Sequence, residues 1–248
     1  MDLPLDGTFI LVLAIFAFAG FVKGTIGLGL PAVAVGLLGT LMPPAQAAAI
    51  LIVPAFVTNA WQLAGPGIGA LLRRLATMML GICVGTYFGS GLIGGTAGGR
   101  ASAALGFALM AYAAFGLTGL RLSAAPRHEL WLSPLVGAVT GVISGATGVF
   151  SIPAVPYLQA LGLEKDDLVQ ALGLSFFVST IALALSLSSG GLFGASIAGT
   201  SLLALAPALA GMAAGGFVRT RISTAVFRRW FFWGLLGLGA HLALRGML

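Results

Sequence analysis

Charged residues divide the chain into long uncharged segments, most of which are as long as a membrane crossing. The uncharged segments are 24–72, 75–99, 101–120, 130–163, 168–218 and 230–244. About 20 predominantly apolar residues make one helical crossing, and segment 168–218 is long enough for two, with a break at residues 188–191. The pattern predicts six transmembrane spans, over about residues 45–64, 70–93, 101–120, 168–188, 195–218 and 227–246.

One glycine motif occurs twice, half a chain apart. The spacing G-x3-G-x2-G begins at Gly20 and again at Gly141, 121 residues later, and Pro-Ala-Val follows both copies, beginning at Pro31 and Pro153. Duplication of this kind is typical of secondary transporters. We therefore divide the chain into an N-terminal repeat, 1–122, and a C-terminal repeat, 123–248, within one integrated transmembrane domain.

Each copy of the motif interrupts an apolar stretch in which a helix would otherwise continue. Glycines weaken a helix and proline ends it. The backbone groups freed there must find partners in the protein or in a water-filled cavity, because lipid offers none. The sequence therefore predicts a broken helix at the start of each repeat, over residues 8–42 and 131–162.

The basic residues indicate whether the broken helices cross the membrane. If both cross, the basic residues divide five to six between the two faces; if both re-enter the face they came from, they divide nine to two. The second distribution is what the positive-inside rule describes, so we predict re-entrant pairs and both termini outside the cytoplasm. The nine are Arg73, Arg74, Arg121, Arg127, Lys165, Arg219, Arg221, Arg228 and Arg229, and the two are Arg100 and Arg245.

Composition changes the picture by excluding other classes of protein. Hydrophobic residues make up 59% of the chain and charged residues 7%, whereas soluble domains have roughly a quarter charged residues. The single Cys83 excludes a disulfide scaffold, and so few charges do not form a groove for nucleic acid. The sequence predicts an all-α integral membrane protein with two inverted repeats, each a broken re-entrant helix pair followed by three transmembrane helices.

Titratable side chains are scarce where catalysis or ion coupling would need them. His241 is a lone imidazole near the end of the last span, and no His, Cys and acidic residues cluster to bind a metal. No nucleophile has an evident base and orienting partner, so we expect no cofactor, no metal and no enzymatic activity. The acidic residues are all predicted in loops or tails: Asp2, Asp6, Glu129, Glu164, Asp166 and Asp167.

Lys23 is the one charge deep in an apolar stretch, and a buried ammonium is by default a functional hypothesis. The glycines after it would leave N–H groups open at the start of a half-helix, where anions bind. The alternative is that Lys23 reaches the membrane interface and the glycines only permit close packing. The predicted binding site for a small anion comprises Lys23, Gly24, Thr25, Gly27, Gly29, Asn59, Ser144, Gly145, Thr147, Gly148, Ser179 and Thr180.

These motifs resemble the sulfite exporter TauE/SafE family of bacterial inner-membrane proteins. The resemblance rests on Gly24-x2-Gly27-x-Gly29-x-Pro31, on its echo from Gly145 to Pro153, and on the half-length repeat, and it covers essentially the whole chain. It implies export of small sulfur-containing anions, such as sulfite or organosulfonates, across the bacterial cytoplasmic membrane. Family members often show a run of glycines at the turn, whereas Leu28 and Leu30 flank Gly29 here, so the substrate can differ.

Two other functions stay open on the sequence alone. An anion channel would use the same residues without ever occluding them, and a membrane assembly factor would not transport at all. The sequence also leaves the coupling ion and the oligomeric state open, a homodimer included. The expected partners are a small anion and the lipid bilayer, with no nucleic acid.

The re-entrant topology makes a direct prediction about sidedness. The loops that contain Lys165 and Arg221 should lie on the same face of the membrane, with both termini opposite. Single cysteines at these two positions, with Cys83 replaced by alanine, should react with a membrane-impermeant thiol reagent from the same side. Labelling of the two positions from opposite sides would exclude this topology.

Overall fold

Residues 7–94, 98–120, 123 and 126–248 are described by a computed structural model, and every regular element among them is an α-helix. The helices are α1 (Gly7–Ile26), α2 (Leu30–Leu38), α3 (Pro44–Leu63), α4 (Ile68–Arg74), α5 (Ala76–Gly94), α6 (Gly98–Thr118), α7 (Pro126–Thr147), α8 (Ala154–Ala160), α9 (Lys165–Ser189), α10 (Ala195–Arg219) and α11 (Thr224–Met247).

Both predicted broken helices are pairs of helices with the break at the motif. Gly27 and Gly29 separate α1 from α2 with φ of 80° and 101°, and Gly148 follows α7 with φ of 74°. Glycine adopts these left-handed values without the steric penalty that a side chain would bring. Pro31 then lies in the first turn of α2, where its missing N–H and fixed φ are compatible with a helix.

The first broken helix is a hairpin with arms of unequal length. A Cβ placed on Gly29 would lie 3.2 Å from Cγ1 of Val22, so the chain has already turned back beside α1. Phe18 and Val22 of α1 line the same groove as Val33 and Leu37 of α2. The first arms, α1 and α7, have 20 and 22 residues, whereas the second arms, α2 and α8, have 9 and 7.

Six helices are long and apolar enough to cross a membrane: α1, α3, α6, α7, α9 and α10. Two of them, α1 and α7, are the first arms of the hairpins, so their length and composition also suit a full crossing. The re-entrant arrangement therefore stays a prediction. The span predicted over 227–246 corresponds to the 24-residue helix α11, which is not among the six.

The span predicted over residues 70–93 is instead a bent pair of helices. The short helix α4 and the longer α5 meet at an angle of 64°, and Arg73 and Arg74 end α4. A guanidinium within the hydrocarbon costs about 2.5–3.5 kcal/mol or more, which explains why the apolar helix begins only after both. Arg74 is paired outside it, since its Nε and Nη2 donate to the Glu129 carboxylate at 2.7 and 2.9 Å.

Three acidic residues predicted in loops lie in helices. Glu129 is in the first turn of α7, and Asp166 and Asp167 are in the first turn of α9. Negative charge is favourable there because the N-terminal end of a helix carries partial positive charge. Asp2 and Asp6 lie outside the described residues.

Helices of the two sequence halves are interleaved. α1 packs along α10, α5 along α7, α6 along α11, and α3 against α9, and each of these pairs takes one helix from each half. Glycines make the closest contacts: a Cβ on Gly20 or Gly24 would overlap the backbone of α10, and one on Gly81 or Gly85 would overlap that of α7. Small residues let membrane helices approach and gain dispersion contacts that lipid would otherwise supply.

The adjacent glycines Gly215 and Gly216 of α10 test this packing. Gly215→Ala should destabilise the protein by about 1–3 kcal/mol, the usual cost of overpacking, because its Cβ would overlap the Phe21 carbonyl of α1. Gly216 faces open space, so Gly216→Ala should leave stability unchanged or raise it by up to about 1 kcal/mol through helix propensity. Tryptophan fluorescence during thermal unfolding in detergent measures both, and equal melting temperatures would contradict the contact.

Candidate functional site

Lys23 is the buried charge at the centre of the candidate site. It lies in the last turn of α1 with 3% of its surface exposed. Its Nζ donates to Oγ1 of Thr58 at 3.1 Å and to Oδ1 of Asn59 at 2.5 Å. An ammonium has three N–H donors, so these two acceptors use two of them. Among the described residues no carboxylate forms an ion pair with Lys23, and the charge is held by neutral oxygens alone.

Thr58 is oriented by the backbone of its own helix. Its hydroxyl donates to the Pro54 carbonyl at 2.7 Å, so its oxygen lone pairs stay available to accept from Lys23. Thr58 and Asn59 are adjacent on α3, and both side chains are fully buried. The two acceptors are therefore fixed in position before any ligand arrives.

Pro54 interrupts the hydrogen bonding of α3, and a serine from the other half repairs it. Proline has no N–H, so the Ile50 carbonyl loses its usual helical donor. Ser201 of α10 donates to that carbonyl at 2.7 Å and accepts from the Val53 N–H at 3.0 Å. Ser201 thereby fastens α3 to α10 one turn before the residues that hold Lys23.

The site lies where α3 contacts α9. Asn59 Nδ2 donates to Oγ1 of Thr180 at 3.4 Å, and Thr180 donates to the Phe176 carbonyl at 2.7 Å. One turn away, the rings of Phe56 and Phe177 pack with centroids 4.8 Å apart. Asn59 thus links the ammonium of one half to a hydroxyl of the other.

The first break is also tied to α3. Gln62 Nε2 donates to the Gly27 carbonyl at 3.0 Å, which satisfies a backbone group that the break removes from the helix. Within the part of the chain that the structure describes, the buried Gln62 Oε1 has no hydrogen-bond partner. A Cβ on Gly27 would meet nothing within 4 Å, so there is open space beside the break.

The second half supplies hydroxyls in place of the lysine. Ser144 lies 121 residues after Lys23, and Ser179 and Thr180 lie 121 residues after Thr58 and Asn59. Ser144 is fully buried, and among the described residues its hydroxyl has no hydrogen-bond partner. Ser179 donates to the carbonyl of its own helix, at Ser175, at 2.8 Å. A buried hydroxyl without a partner costs about 1–3 kcal/mol, which marks Ser144 as available to a polar ligand.

Other predicted site residues have structural contacts. Gly24 packs on the Met212 backbone of α10, and Gly145 on the Thr86 backbone of α5. Thr25 donates to the Phe21 carbonyl at 2.8 Å, while Thr147 donates to Ile143 at 2.7 Å and accepts from the Val149 N–H. Gly29 lies against Phe231 and Val22, and Gly148 against Ala48 and Val35. The structure brings Lys23, Asn59 and Thr180 together, whereas the glycines and threonines named in this paragraph contact other parts of the helix bundle.

A cavity of about 440 Å³ opens at the end of the molecule where α6 ends and α11 begins. It reaches Leu28 in the first break and separates α8 from α6 and α11. Arg228, one of the nine basic residues predicted to be cytoplasmic, lies on its wall. We call it the basic-face cavity; its lining residues are Leu28, Tyr112, Phe115, Gly116, Gly119, Leu120, Val155, Pro156, Gln159, Leu168, Arg228 and Phe232.

The family model of the sulfite exporter TauE/SafE matches residues 12–242 of the 248, a range that includes both breaks and the whole Lys23 cluster. The chain belongs to this family. The TauE/SafE family is one of membrane transport proteins. Comparison with curated proteins and with solved structures gave no significant match. Within the described residues, no three His, Cys or acidic side chains are grouped to bind a metal.

The predicted anion site does not include Thr58. Thr58 precedes Asn59 directly, and 121 residues later Ser179 precedes Thr180. This repeated pair of polar residues, one pair in each of two apolar spans, is the sequence signal that could have placed Thr58 in the site. Gln62 carries no such signal, since its residue 121 positions later is Leu183; only the fold shows that it satisfies the break.

A double-mutant cycle measures the bond between Lys23 and Asn59. Asn59→Leu should lower the free energy of unfolding by about 1.5–3 kcal/mol, because the buried ammonium loses an acceptor. In Lys23→Met that loss should shrink, giving a coupling of about 0.5–3 kcal/mol. Ser179→Ala is the control, since its hydroxyl bonds its own helix, and it should be additive with Lys23→Met. Unfolding in mixed micelles measures these free energies. If the effects of Asn59→Leu and Lys23→Met are additive, the bond between Lys23 and Asn59 does not contribute to stability.

Proposed function

We propose that this chain exports small sulfur-containing anions, of the sulfite or organosulfonate class, from the bacterial cytoplasm through a central site at Lys23. The observation that carries the proposal is the Lys23 ammonium, buried without a carboxylate and held by Thr58 and Asn59. An unneutralised buried charge is costly, and a bound anion would offset that cost. The partnerless Ser144 hydroxyl would supply a further hydrogen bond from the second half.

Contacts between α3 and α9 support inverted repeats. Phe56 packs on Phe177 and Asn59 bonds Thr180, and the members of each pair are 121 residues apart. Contacts between equivalent residues are expected on a two-fold axis. The two helices run in opposite directions, since a Cβ on Gly173 would lie 2.7 Å from Cβ of Gln62 while Gly65 lies beside Gln170. Antiparallel equivalent helices are what inverted repeats produce.

The two hairpins differ in how tightly their second arms pack, which favours a carrier. At one face α2 packs on the bundle: a Cβ on Gly36 would lie 2.8 Å from Leu238 and 3.0 Å from Leu109, and Arg245 Nη1 donates to the Thr40 carbonyl at 2.6 Å, beside a cavity of about 310 Å³. At the opposite face the larger basic-face cavity, of about 440 Å³, separates α8 from the same two helices, α6 and α11. A central site that is more open towards one hairpin than towards the other is compatible with alternating access.

The membrane potential is a sufficient driving force for export. Moving one charge across 100 mV is worth roughly 2.3 kcal/mol, and the inside-negative potential drives an anion outward. The positive-inside rule places the basic face in the cytoplasm, so the basic-face cavity would open to the side from which the anion leaves. No intramembrane carboxylate is needed for this mechanism.

An anion channel and a non-transporting assembly factor are the alternatives. A channel would show flux that does not saturate and no counterflow, whereas a carrier would show both. An assembly factor would keep its function when Lys23 is replaced. Both differences can be measured in proteoliposomes and in cells.

Lys23→Met should strongly reduce anion transport and leave the protein folded. The substitution keeps the apolar stem and removes the charge, so affinity for the transported anion should fall by about 1.5–3 kcal/mol, the contribution of a charge-assisted hydrogen bond. Sulfite counterflow into proteoliposomes measures transport, and yield and melting temperature report folding. Yield should hold or rise because a costly buried charge is gone.

Lys23→Arg is the matched control, because it keeps the charge in a larger, planar group. It should retain part of the transport that Lys23→Met loses. Wild-type counterflow in Lys23→Met would exclude Lys23 from the site. Flux without counterflow in the wild type would identify a channel instead.

A further inference from the structure

We propose that the basic-face cavity is a second anion site, separate from Lys23, which takes an organic anion with an apolar body and a single acidic head group. The inference deepens the proposed function, on which its role in export rests. The cavity's volume of about 440 Å³ is within the usual range for small-molecule sites, about 300–1,000 Å³. A bare inorganic oxyanion would leave most of that space unfilled.

Arg228 supplies the recognition of the head group. Among the described residues it is the one charged side chain that lines the cavity, and a guanidinium presents paired N–H donors that match the oxygens of a sulfonate or carboxylate. Gln159, on the opposite side at the end of α8, adds an amide donor. The adjacent Arg229 is also exposed but does not line the cavity.

A buried tyrosine hydroxyl lies beside the cavity. Tyr112 lines the cavity with 1% of its surface exposed. Its hydroxyl interacts with that of Ser151 in the second break, but among the described residues it has no hydrogen bond of normal geometry. Buried polar groups are nearly always paired, so the Tyr112 hydroxyl is available to a ligand that enters the cavity.

The remaining walls are apolar and select the body of the ligand. Phe115, Phe232, Leu168 and Val155 form them, and Phe232 is held edge-on against Tyr112 with ring centroids 5.3 Å apart. Apolar walls give no hydrogen bonds to a compact, strongly hydrated anion such as sulfite. They do favour methylene or ring carbons attached to the acidic group, because each buried methylene is worth about 0.8 kcal/mol.

Calorimetric titration of the detergent-purified full chain with methane-, propane- and butanesulfonate tests the site. Affinity should rise along the series by up to about fourfold per methylene. Arg228→Gln should weaken butanesulfonate binding by about tenfold to hundredfold, through loss of a charge-assisted bond, while Arg229→Gln, the matched control, should not change it. Tyr112→Phe, which keeps the ring contact, should weaken it by about two- to tenfold.

Lys23→Met separates this inference from the proposed export function. The part of butanesulfonate binding that depends on Arg228 should persist in that variant, because Lys23 does not line the cavity, even where transport and binding at the central site are lost. Unchanged transport in Lys23→Met, with binding still dependent on Arg228, would overturn the central site and leave the cavity site standing. Equal affinities along the sulfonate series, or equal effects of Arg228→Gln and Arg229→Gln, would overturn the cavity site.

Discussion

One buried ammonium determines how the centre of this protein is built. Lys23 is held by two neutral acceptors on one turn of α3, and the rest of the described structure keeps those acceptors in place. Pro54 frees the backbone, Ser201 ties α3 to α10, and Asn59 reaches Thr180 on α9. In water, hydrogen bonds to solvent could replace each of these contacts. In the membrane interior there is no solvent to stabilise the charge, so the protein itself must supply the acceptors.

The glycines make that arrangement possible by two different physical routes. Within helices they remove side chains, so that α1 can lie on α10 and α5 on α7 at backbone distance. At the breaks they adopt left-handed φ values that reverse the chain. Because the contacting helices come from opposite halves, neither half could form its packed interior alone. The duplication is therefore visible in the interleaved packing as well as in the sequence.

The sequence predicted the elements better than it predicted the site, for a physical reason. Breaks and spans follow from local hydropathy and from glycine and proline, so α3, α9 and the breaks after α1 and α7 lie near their predicted positions. Gly24 and Gly27 look alike in the motif, but Gly24 packs against another helix, whereas Gly27 lies at the chain reversal. The difference depends on whether another helix lies opposite the glycine, which the local sequence does not encode. Thr58, Ser201 and the basic-face cavity depend on partners more than 30 residues away, which no local pattern encodes. The span predicted over 70–93 placed Arg73 and Arg74 within one helix, whereas the bend lies directly after them.

The inequality of the two halves has a functional consequence at the centre. Position 23 carries a lysine and its counterpart, 144, a serine. A second lysine there would place a second ammonium group in the buried interior, where Ser144 is fully buried and where repulsion between charges is weakly screened. Such a pair would also bind an anion too tightly. Transport needs a site that binds the anion weakly enough to release it again. In the proposed mechanism, one ammonium with hydroxyls in the second half would give a single positive charge that an anion could approach from one hairpin and leave by the other.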